Sequence, residues 1–144
     1  MPTYTVRATH LTIDSQTRQH LATAITQAHT AATGAQGFFA QVYVEEVSAA
    51  DHFVAGAPIE APQVFVQGQI RGGRTAEQRQ ALLEGVVSAV VSTLGVARRS
   101  VWVYLVELPA ASMVEYGRVL PEPGAEAEWL ASLPEADRPD SAGV

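Results

Sequence analysis

Shifted by 61 positions, the chain lies on itself without a gap, and this internal repeat limits the possible folds more than any other feature. "AQVYVEEVS" from Ala40 falls on "VWVYLVELP" from Val101. Arg18, Gln19, Leu21 and Gly34 fall on Arg79, Gln80, Leu82 and Gly95. Each half reads strand, helix, strand. Tyr4 to Thr9 and Val64 to Ile70 alternate with the period of two that marks a strand. Asp14 and Thr75 occupy matching N-cap positions, and Gln78 completes a capping box with Thr75. Leu82, Leu83, Val86, Val87, Val90, Val91 and Leu94 then make an apolar stripe at helical spacing; Leu21, Ile25, Ala28 and Ala32 make a narrower one. Gly34 and Gly95 stand where a helix ends in a left-handed residue. A β-α-β unit joins parallel strands by a right-handed crossover. Two such units predict an α/β (α+β) fold, a four-stranded sheet with both helices on one face.

The repeat organises a single domain, residues 1–133, at a length that suffices for one core. The first half covers about 2–47 and the second about 63–109. Between them, 48–62 is rich in Ala, Gly and Pro and reads as a linker or pocket loop. Residues 110–133 form a turn-rich C-terminal segment with one more short helix from Ala125 to Leu133, and 134–144 reads as a mobile tail. "VWVYLVEL" is apolar at nearly every position, the pattern of a strand covered on both sides. Helices cover only one face of a two-layer monomer, so association through the other face is expected.

A net charge of −6 argues against nucleic acid as a partner, because phosphate binding needs a basic face. The absence of cysteine excludes disulfides and thiol chemistry, and the four histidines lack metal-ligand spacing. No basic-then-apolar leader opens the chain, and Leu82 to Val96 is too short to span a membrane. A cytoplasmic protein without membrane contact is expected.

The repeat also serves as a control, since residues the fold requires should recur. "RGGR", Arg71 to Arg74, ends the third strand and leads into a helix; its counterparts are His10 and Ile13. Two guanidiniums beside a helix N-terminus fit a small carboxylate, though a solvated basic turn reads equally well. His29 falls on Val90 and is either a hydrogen-bonded core residue or a ligand-binding one. Tyr104 falls on Tyr43, which favours packing, and Glu115 in "MVEYG" is one of fifteen acidic residues. Pro2 in "MPTYTV" is either a tolerated first residue of a strand or, once Met1 is removed, a free secondary amine.

An amino-terminal Pro opening a β-α-β unit, with Arg near a strand end, resembles the tautomerase superfamily. The fused double unit with "AITQAH", "IRGGR", "WVYLVELP" and "MVEYGRVLPEPG" resembles its cis-3-chloroacrylic acid dehalogenase group. That resemblance implies a homotrimer and a cofactor-free hydratase/dehalogenase of small unsaturated carboxylates such as cis-3-haloacrylate. It implies that Pro2, Tyr104 and Glu115 are catalytic, that His29, Arg71 and Arg74 bind the substrate carboxylate, and that no metal is used. Two positions depart from the group: Ala35 and Phe39 stand where a hydroxyl and a leucine side chain are expected, which bears on the substrate. Two other functions fit the same residues. One is a tautomerase of 2-oxo acids such as phenylpyruvate with Pro2 as base. The other is a non-catalytic trimer that binds a carboxylate or a protein partner.

Overall fold

The alternating runs and capped stripes become strands and helices where the repeat marks them. In the computed structural model, which describes residues 2–139, the order is β1 (Thr3–Thr9), α1 (Ser15–Thr33), β2 (Gln41–Val47), β3 (Phe53–Val54), β4 (Ala57–Pro58), β5 (Gln63–Arg71), α2 (Ala76–Leu94), β6 (Val101–Leu108), β7 (Val114–Glu115), β8 (Arg118–Val119) and α3 (Glu126–Ser132). Asp14 caps α1 by accepting from the Thr17 amide, and Thr75 and Gln78 close a reciprocal capping box on α2. Both helices end at a left-handed glycine, Gly34 and Gly95. The main sheet has the order β2-β1-β5-β6. Its outer pairs are parallel, as each β-α-β unit requires, and β1 meets β5 antiparallel with Val6 opposite Val66.

The core lies between one sheet face and the two helices. Tyr4, Val6, Val64, Val66 and Ile70 from the sheet are fully buried against Leu21, Ile25, Leu82, Val86 and Val90. Each such side chain contributes about 1.5–3 kcal/mol through removal of apolar surface from water. Tyr4 lies opposite Gly68, where an added Cβ would come within 2.6 Å of its ring. That glycine is the space in which the Tyr4 ring rests.

The other face is open within one chain. Tyr43, Trp102, Tyr104 and Val106 are exposed there, so the second cover that the apolar β6 calls for does not come from its own helices.

The segment read as a linker carries structure of its own. A 3-10 turn at Ala49–Asp51 is followed by the β3–β4 hairpin, and 61 residues on the same pair recurs as the turn Ala110–Ser112 and the β7–β8 hairpin. Beyond it, α3 folds back so that Trp129 and Leu133 join Phe39, Ala110 and Leu120 in a second, smaller core. The Trp129 indole donates to the Val119 carbonyl at 2.8 Å. Of the segment expected as a tail, residues 134–139 include a 3-10 turn, and Arg138 donates to the carbonyls of Leu133 and Ala131. Residues 140–144 lie outside the described residues. Among those described, no helix is long and apolar enough to cross a membrane.

Candidate active site

At the end of β5 the chain must turn sharply into α2, and the residues of that turn build a cavity. The Gly72 amide donates to the Leu108 carbonyl at 2.8 Å, which carries the β5–β6 pairing one step past Arg71. Gly73 follows with φ 97°, and an added Cβ there would lie 3.0 Å from Pro123. A side chain would be both strained and crowded. The turn leaves Arg71 and Arg74 on the same cavity, of about 360 Å³, whose walls include Gly34, Phe39, Glu126 and Leu130.

Arg71 is only 3% exposed. Its Nη1 donates to the Pro121 carbonyl at 2.6 Å, and its Nη2 forms an ion pair with Glu126. The Nε groups of both Arg71 and Arg74 are buried with no hydrogen-bond partner. Leaving a buried donor unpaired costs about 1–3 kcal/mol. Two arginines on one cavity, each with an unpaired buried donor, are a local demand for an acceptor. Burial, and after it the Arg71 cation, lower the Arg74 guanidinium from its ordinary value.

His29, near the end of α1, is 3% exposed, and its Nδ1 lies 2.7 Å from the Tyr4 hydroxyl. Burial first, and Arg74 second, hold its pKa down at about 4. Burial pushes the Tyr4 phenol well above its ordinary value. At neutral pH the pair is an uncharged imidazole and an uncharged phenol.

Glu115 lies on β7 and borders a separate hollow of about 670 Å³ with Thr3, Gln41, Phe38 and Phe39. Phe39 lines both cavities. The hairpin is clamped by Tyr116, which meets Phe39 and Trp129 edge-on and donates to the Phe38 carbonyl at 3.3 Å. Pro2 is buried directly before Thr3, and its carbonyl accepts from the Gln41 amide at 3.0 Å. Thr3 pairs with Gln69, so β1 begins at the sheet end where β5 reaches Arg71. Pro2, His29, Arg71, Arg74 and Glu115 thus gather at one end of the molecule.

Tyr104 stands apart. It is 57% exposed on the open sheet face, packed edge-on against Phe65 at 5.1 Å. Sequence reasoning singled out neither Tyr4 nor Glu126. Tyr4 looked like one member of an alternating strand, and Glu126 carried no signal beyond a short helix. Among the described residues, no group of His, Asp and Glu side chains is arranged to hold a metal ion.

A family model described as "Putative oxalocrotonate tautomerase enzyme" matches residues 1–132. The crystal structure of N1, a member of the cis-3-chloroacrylic acid dehalogenase family, is 37% identical and superimposes with a TM-score of 0.87. The match covers 93% of this chain and 94% of that one. The chain belongs to the tautomerase superfamily, in its cis-3-chloroacrylic acid dehalogenase family. A wild-type fused 4-OT, a symmetric trimer, is a more distant relative of this dehalogenase-family chain, at 26% identity. Its TM-score is 0.72 over 78% of this chain and 90% of that one. No curated protein matches.

Proposed function

We propose that this dehalogenase-family chain is a cofactor-free hydratase of small unsaturated carboxylates such as cis-3-haloacrylates, acting through Pro2 after removal of Met1. One observation carries the reading above the others: Arg71 and Arg74 border one cavity, and the buried Nε of each lacks a protein acceptor. A substrate carboxylate accepts from both. The two cations draw electron density toward it and leave C3 electrophilic. In this reading the Tyr4 hydroxyl donates to His29 Nδ1, which puts the imidazole proton on Nε2 as an uncharged donor to the carboxylate.

Glu115 takes a proton from water as the oxygen bonds to C3, and the Pro2 ammonium gives a proton to C2. The resulting halohydrin loses halide together with its hydroxyl proton, leaving malonate semialdehyde. In this reading Tyr104 helps place the water and is supplied by a neighbouring copy, because its own chain leaves it on the open face with Trp102 and Val106. In this reading a homotrimer, the assembly named for the fused 4-OT relative, covers that face. Sedimentation at micromolar concentration should give about three times the 15.3 kDa chain mass. A clean monomer overturns the assembly.

One observation favours a second reading, tautomerisation of 2-oxo acids such as phenylpyruvate with neutral Pro2 as base. Within one chain Tyr104 lies away from Glu115, so the water-placing pair is not assembled without a neighbour. The Glu115→Gln variant separates the two. Hydration of a 3-haloacrylate should fall about 10²–10⁴-fold, the usual contribution of a positioned general base, while ketonisation of the enol falls far less. Unchanged hydration sinks the first reading. Intact mass settles whether Pro2 is free, since a retained Met1 makes it an amide and defeats both.

A further inference from the structure

One carboxylate, Glu126 of α3, borders the cavity beside Arg71 and Arg74. Both of its oxygens are held: Oε1 by Arg71 Nη2, and Oε2 by the Gly124 amide at 2.9 Å. With Nη1 on the Pro121 carbonyl, the outer nitrogens of the Arg71 fork are bonded to the C-terminal segment, and only Nε remains unbonded. Burial alone would raise the Glu126 carboxyl. The hydrogen bond from Arg71 and those from backbone amides outweigh it and hold the group below the ordinary carboxylate range. Glu126 is therefore ionised at neutral pH.

Around this cavity the charges are unequal. Arg74 has no ion pair among the described residues, and its other acidic neighbour, Glu107, lies 3.5 Å from Arg79. His29 is neutral. The lining thus carries two cations and one anion, which leaves one positive charge uncompensated.

We infer that Glu126 is a specificity-determining residue: it fixes the Arg71 fork and restricts the site to ligands with a single negative charge. The inference rests on the carboxylate site proposed above and sharpens its substrate class. The substituent at C3 must be neutral, as a halogen or a methyl group is. A second carboxylate there would give the partly buried site, Glu126 included, an excess of negative charge.

Isocrotonate and maleate test this, since they are cis-3-substituted acrylates that differ as methyl and carboxylate. Binding is measured by titration calorimetry on the purified protein at slightly alkaline pH, where maleate is a dianion. Wild type should bind isocrotonate more tightly. Glu126→Gln keeps an acceptor for Arg71 but removes the charge, and should move the ratio about tenfold toward maleate. Glu126→Ala also frees the fork and should weaken isocrotonate itself. Equal or tighter binding of maleate by wild type overturns the inference without recourse to any variant, as does an unchanged ratio in Glu126→Gln. Arg74→Ala separates this from the underlying reading. Undiminished isocrotonate binding there removes the carboxylate site and the inference with it. Lost binding there beside an unchanged Glu126→Gln ratio removes the inference alone.

Discussion

At one end of the sheet β5 runs out at Arg71, and the Tyr116–Gly117 hairpin follows in the same half; at the other β1 runs out at Thr9, followed by the Ala55–Gly56 hairpin. The backbones correspond closely. Ala55 and Gly56 have φ of 52° and 79°, Tyr116 and Gly117 52° and 74°, the two-residue turn that the twist of a hairpin favours. The side chains do not correspond. Where one end has Arg71, Arg74, His29 and Glu115, the other has His10, Ile13, Val90 and Val54. At that end the polar groups bond to protein, Thr9 with His52 at 2.7 Å and His10 with the Ile59 carbonyl at 2.8 Å. Among the described residues, only the Arg71 end leaves guanidinium donors buried and unbonded. The fold repeats the shape at both ends but not the charges.

The largest difference expected between the ends is a pH effect, because His29 titrates where Val90 cannot. Its pKa falls from the model-peptide value of 6.5 to about 4 on folding. Between those values the unfolded chain binds more protons than the folded one, so stability rises with pH there. The contribution is complete above about pH 7 and is lost as pH falls toward 4; the shift corresponds to about 3 kcal/mol. Denaturant unfolding at both pH values, for wild type and His29→Gln, isolates it from the other histidines. An equal loss in the two proteins would mean that His29 is not held neutral.

Next comes carboxylate binding. Arg74→Ala should weaken a small carboxylate inhibitor by about 1.5–3 kcal/mol, roughly tenfold or more, with the unfolding midpoint retained. Arg71→Ala should weaken binding and also lower the midpoint, because Arg71 ties down Pro121 and Glu126. The repeat alone would let the fold stand without either arginine; the contacts of Arg71 with Pro121 and Glu126 argue that its loss weakens the fold. His10→Ala, at the matching position, should leave binding unchanged. Equal affinities in all three variants would place the anion site elsewhere.

How far the sequence was legible follows the range of the forces involved. Helix caps, apolar stripes and alternating strands are local, so α1, α2 and the main strands could be read from Asp14, Thr75, Leu82 and Val86. The repeat supplied the sheet. The hairpins were harder: "VAGA" and "EYGR" share little beyond Gly56 and Gly117, and their strands are two residues long, too short for a period to declare itself. The Arg71 and Arg74 cavity was legible as chemistry but not as geometry. Its far wall is α3, and the Arg71–Glu126 contact joins residues 55 positions apart with no pattern linking them. Tyr4 escaped notice for a related reason. Alternation shows that it is buried, but not that Gly68 opposite makes room for the ring whose hydroxyl meets His29.

The smallest effect offers the sharpest contrast between the two ends. Gly56 and Gly117 each sit at positive φ with open space where a Cβ would point, so neither is kept for packing. Replacing either with Ala should cost about 1 kcal/mol of stability through the left-handed backbone alone. Activity should divide them. Gly117 lies two residues from Glu115, and a strained turn there shifts the carboxylate against a water it must meet at hydrogen-bond distance. Gly56 lies two residues from Val54, which has no proton to move. Matched unfolding curves with hydration reduced only in Gly117→Ala would show that the two hairpins share a backbone and that one carries the base. Equal loss of activity would mean instead that both hairpins serve the site.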